Sequence, residues 1–105
     1  MARILKFIVN GQNISKDSSC DFSKIARGTK GYLVAEFVFS PDWDGYVKAG
    51  VFRASCGTEA ASPIINDRCE IPSTALTQEA FIVSVVGMAK DGSKIKSEKV
   101  EVMQS

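Results

Sequence analysis

The 105-residue chain contains no histidine, so it lacks the side chain that most often serves as a general base near neutral pH and as a metal ligand. This argues against hydrolysis by a nucleophile, histidine and carboxylate triad. Charge of one sign is also missing. Thirteen basic and twelve acidic residues leave a formal charge of +1, too little to concentrate nucleic acid, an anionic membrane or an acidic substrate by a long-range field. No apolar run approaches the roughly 20 residues that a bilayer span needs. The opening MARILKFIVNG has no small-residue cleavage site after a sufficient apolar stretch, so synthesis in the cytoplasm is expected. Cys20, Cys56 and Cys69 are odd in number and show no CxxC spacing. They are expected to be reduced, partly buried thiols rather than a disulfide framework or zinc site. Cys69 alternates with Arg68 and Glu70 and should be the most buried of the three.

Glycine-rich phosphate loops are absent as well, since neither GxGxxG nor GxxxxGK[ST] occurs. Asp42 and Asp44 resemble a fragment of a calcium loop. The further oxygen donors and terminal glutamate are missing, which leaves Asx-type turn capping as the expected role. No catalytic, cofactor-binding or metal-ligating residue is therefore assigned, and no enzymatic activity or cofactor is expected.

What the chain does contain is enough apolar residue, 45%, to pack a core as one domain over residues 1–105. Residues 32–55, YLVAEFVFSPDWDGYVKAGVFRAS, organise the rest: two strand-like runs joined by a Pro-Asp-Trp-Asp-Gly turn predict a β-arch or hairpin. Leu33, Ala35, Phe37 and Phe39 alternate with Tyr32, Val34, Glu36, Val38 and Ser40, so the first set should face the core. After the turn, Val47, Ala49 and Val51 alternate with Tyr46, Lys48, Gly50 and Phe52, apolar on both faces.

Upstream, residues 4–9 predict a first strand with Leu5, Phe7 and Val9 on one face, stopped by Asn10-Gly11. Residues 12–31 read as loop with a short strand. Downstream, residues 62–66 and 68–72 predict two short strands about an Asn-Asp turn, and proline favours edge positions for them. Residues 73–80 offer the only helical turn. Residues 81–88 form another strand, and Lys90-Asp91-Gly92-Ser93 a hairpin turn. Residues 95–103 should return as one strand with Lys96, Glu98, Val100 and Val102 on one face. About seven short strands with at most one helical turn predict an all-β antiparallel sandwich.

Two surface features have bland counterparts. Trp43 and Tyr46 could pair as a sugar-stacking platform, but a lone tryptophan in a turn beside dense apolar strands is better read as a plug closing one end of the sandwich. Lys90, Lys94, Lys96 and Lys99 could contact nucleic acid, but Asp91, Glu98 and Glu101 interrupt them, as on a solvated hairpin or charge-protected edge. No nucleic-acid or membrane partner is expected.

The arch, followed by CEIP at residues 69–72 and FIVSVVGM at residues 81–88, resembles small virion domains of phages and prophages of Gram-positive bacteria. The matched features are a strand ending F-x-F-S, a D-W-x-G turn with lysine and phenylalanine in the next strand, C-x-I-P, and a late F-x-V-S-V-x-G strand. The resemblance implies an Ig-like β-sandwich in a phage structural protein. Such a protein decorates the head or joins the tail or baseplate by contacts with other phage structural proteins, in many copies per virion. No coiled coil or receptor-binding domain follows the sandwich, which favours a standalone decoration or joining protein over a fibre. The partner-contact residues expected are Tyr32, Val34, Val38 and Phe52, on the arch face whose apolar content exceeds what a solvated sheet needs. The strand at residues 100–103 is a second candidate surface, by strand addition. The alternative is a carbohydrate-binding or adhesion module using Trp43 and Tyr46.

Overall fold

A computed structural model describes residues 3–20, 33–54, 57–72 and 80–103. Nine strands form among them: β1 (Arg3–Asn10), β2 (Asn13–Lys16), β3 (Leu33–Phe39), β4 (Val47–Ala54), β5 (Glu59–Pro63), β6 (Arg68–Glu70), β7 (Ala80–Met88), β8 (Lys94–Lys96) and β9 (Val100–Met103). They build an all-β sandwich. One sheet runs in the order β2-β1-β3-β6. The other runs β5-β4-β7, and β7 pairs along its free side with β8 and then β9.

Every pairing is antiparallel except that of β1 with β3, which lie parallel from Arg3↔Leu33 to Val9↔Phe39. That register places Leu5, Phe7 and Val9 beside Ala35, Phe37 and Phe39 on one face, and Leu5, Phe7, Val9 and Ala35 are fully buried. The opposing sheet supplies Phe52, Phe81, Val83, Val85 and Val102, also fully buried. The period-two alternation of β1, β3 and β7 is thus the alternation between core and exterior.

The chain from β3 to β4 passes through a short 3-10 turn at Pro41–Trp43 and changes sheet, so the two runs form an arch and not a hairpin. Asn66 and Asp67 both adopt positive φ, 54° and 62°, the geometry of a tight type I′ connection. The Ile65↔Arg68 bridge closes it. Pro63 lies on β5, an edge strand, where a missing N–H is tolerated. Gly92 at φ 89° ends the turn between β7 and β8, and Ser93 donates its N–H to the Asp91 carboxylate at 2.9 Å.

Two expectations are corrected. The inward residues of β4 are Gly50, Phe52 and Ala54, and Phe52 is fully buried, because its ring meets Phe81 of the adjacent strand at 6.5 Å. It is therefore no accessible contact residue. Residues 95–103 are two strands, not one, because three residues (97–99) face two (84–85) of β7 between the Val86↔Lys96 and Val83↔Val100 pairs. This bulge reverses the face presented: Lys96 points outward, whereas Val102 is buried. The helical turn expected over residues 73–80 lies outside the described residues except for Ala80, which begins β7.

Candidate interaction surface

A file of rings leads from the core to one end of the sandwich. Phe7 stacks on Phe37 at 5.5 Å, Phe37 on Phe39 at 5.7 Å, Phe39 meets Trp43 at 5.4 Å, and Trp43 meets Tyr46 edge-on at 6.5 Å. Trp43 has no exposed surface, and its indole N–H donates to the Gly11 carbonyl at 2.7 Å. The Gly11 N–H in turn donates to Ser40 Oγ at 2.9 Å, and that hydroxyl donates to Asp42 Oδ2 at 2.9 Å. Trp43 is thus a plug that fastens the arch to the β1–β2 turn. A buried indole with its donor satisfied offers no face to a sugar, so the Trp43 and Tyr46 platform is not present. Tyr46 is half-buried against it.

The exterior of the β1-β3 sheet carries three cross-strand rows: Ile4 with Val34 and Glu70, Lys6 with Glu36 and Arg68, and Ile8 with Val38. Glu36 accepts from Arg68 Nε at 2.7 Å and lies 3.9 Å from Lys6 Nζ. Charge therefore divides the apolar residues on which the expected contact face relied. Val34 is half-buried and Val38 is 55% exposed. A depression of about 640 Å³ beside Val38 is shared with Ile65, Asp67 and Arg68. Tyr32 lies outside the described residues.

The exterior of the other sheet differs. Pairing aligns Pro63, Ala49 and Val86 with Lys96 in one row, and Val47 and Met88 with Lys94 in the next. A half-open trough of about 670 Å³ follows these rows. Val47 is 80% exposed and Met88 51%. Bare apolar surface of this kind on a sheet face is what a contact site requires. Sequence reasoning missed it because the central strands β4 and β7 are apolar on both faces, and alternation alone does not say which face is inside.

Gly87 fixes the boundary between plug and trough. A Cβ there would lie 3.2 Å from Trp43 Cζ3, 3.1 Å from Tyr46 Cβ and 3.0 Å from Ile95 Cγ2, so a side chain at this position would press the indole and its neighbours away from β7.

Among the described residues no three His, Cys, Asp or Glu side chains converge to hold a metal ion. Cys69 is buried, and burial pushes its thiol up to about 12, so it is protonated at neutral pH and a poor nucleophile there. Cys20 donates its S–H to the Ile4 carbonyl at 3.5 Å; Cys56 lies outside the described residues. No protein-family model, curated protein or solved structure matches the chain.

Proposed function

We propose that this domain is a structural component of a phage particle, decorating the head or joining the tail or baseplate assembly in several copies, and that it works by surface contact without a reaction. One observation carries the proposal: a sandwich whose core is already closed still leaves an open apolar trough on the exterior of β4, β5, β7 and β8. Val47 and Met88 stand side by side in it, and Val47 is the most exposed large hydrophobic among the described residues, the kind of patch that marks contact sites. The resemblance of the arch and of FIVSVVGM to virion domains supplies the setting. A near-neutral chain reaches such partners by shape and apolar cover, and weak individual contacts add up when many copies meet one particle.

The test is co-sedimentation of the full chain with capsids and with tails of the phage that encodes it. Pelleting with either particle is expected, and pelleting with neither would end the proposal. Met88→Glu, which places a charge in the trough, should reduce pelleting, whereas Val38→Glu on the opposite sheet should not.

A further inference from the structure

Resting on the assembly role proposed above, we infer that the trough takes a short segment of a partner protein in which apolar side chains are flanked by aspartate or glutamate. Its floor is Val47, Ala49, Val86 and Met88, with Pro63 at one side. Its other side is β8, where Lys94 stands beside Met88 and Lys96 beside Val86. Both lysines are exposed, and no acidic residue lines the trough. On a chain whose overall charge is only +1, this local imbalance favours an acidic partner at close range, where screening at physiological salt is incomplete. Lys48 contributes less to that wall, since its ammonium lies 5.1 Å over the Phe39 ring. The volume suits a few apolar side chains.

The edges of the sheet favour a segment lying across the face over one added as a further strand. On the β8 side the Lys96 carbonyl already accepts from Gln12 Nε2 at 3.1 Å, and the Glu98 N–H is taken by the Gln12 carbonyl at 2.7 Å. On the β5 side Pro63 has no N–H to offer. Affinity then comes from apolar burial in the trough, and orientation comes from the two lysines.

The experiment selects a yeast-displayed library of random short peptides on the full wild-type chain and on the double variant Lys94→Glu, Lys96→Glu, whose exposed positions leave the core untouched. Wild type should enrich peptides with apolar residues flanked by Asp or Glu. Those peptides should shift the Met88 methyl resonance, bind the double variant several-fold more weakly and weaken with added salt. The double variant should enrich Lys- or Arg-flanked peptides instead. The inference is overturned by the absence of an enriched pool, by a pool without acidic excess, or by peptides that leave Met88 unshifted. It is equally overturned if dodecanoate or phosphatidylglycerol vesicles shift Met88 and the peptides do not, since the trough would then be an amphiphile site. Pelleting with particles in the face of such a failure would leave the assembly role standing. Peptide binding as described without particle pelleting would leave the site and remove the role.

Discussion

Replacing Trp43 by alanine removes an indole that has no contact with solvent and breaks its 2.7 Å bond to the Gly11 carbonyl. The cavity and the orphaned acceptor together should lower stability by about 3–5 kcal/mol. A urea melt reads this directly, and a loss below about 1 kcal/mol with the fold retained would contradict the plug. Cys69 offers a second test through pH. Burial raises its thiol from 9.0 to about 12, so the folded state keeps a proton that the unfolded chain releases. Its contribution to stability is complete below the unfolded value and is lost as pH climbs from there through the folded one. Wild type should therefore lose more stability than Cys69→Ala as pH rises above 9.0. Equal losses would mean that solvent reaches the thiol. Asp17 and Asp91 shift the other way, held below the usual carboxylate range chiefly by the backbone N–H groups of Ser19 and Ser93; Asp91 is an exposed turn residue and Asp17 a half-buried one just after β2, and both shape loops more than stability.

Among the elements, β7 binds the second sheet together, pairing with β4 on one side and with β8 and β9 on the other. The bulge between β8 and β9 is held by Ser97, which accepts the Val85 N–H at 2.8 Å and donates to the Glu98 carbonyl at 2.8 Å, while its own N–H reaches the Val85 carbonyl at 2.8 Å. Ser97→Ala leaves the Val85 N–H without its acceptor and should cost about 1–3 kcal/mol in a urea melt. An unchanged midpoint would show that the hydroxyl does not hold the bulge. Gly87→Val should destabilise by about 1–3 kcal/mol through overpacking against Trp43 and Ile95, with loss of indole fluorescence shielding as an independent readout.

The same elements show how much of the fold could be read from the residues. Leu5, Phe7 and Val9 alternate against Lys6 and Asn10, and Phe37 against Glu36, so the inward faces of β1 and β3 were plain. Asn66-Asp67 and Lys90-Asp91-Gly92-Ser93 announced their turns because few other residues accept positive φ. In β4, by contrast, Val47, Ala49 and Val51 compete with Gly50, Phe52 and Ala54, and only the position of the opposing sheet decides between them. The bulge was invisible because Ser97 is an ordinary polar residue until its hydroxyl is seen in the ladder. The plug was legible and the trough was not, and the cause is one ambiguity: the central strands β4 and β7 are apolar on both faces along the trough, so their residues do not betray which face is outside.

For the molecule as a whole, the two exteriors differ. The β1-β3 face is crossed by Lys6, Glu36 and Arg68, whereas the β4-β7 face carries the apolar trough with its lysine border at one end and a row of Arg53, Glu59 and Glu101 at the other. Under the proposed assembly role the apolar trough is covered and the charged face stays free. Burying the trough against a repeated lattice would tolerate small changes of orientation, because apolar cover is non-directional. Hydroxyl-radical footprinting of the chain free in solution and bound to its particle compares the two faces in one sample. Met88 and Val47 should lose most of their reactivity on binding while Val38 and Ile65 keep theirs. Protection of Val38 and Ile65 with Met88 left reactive would contradict the account.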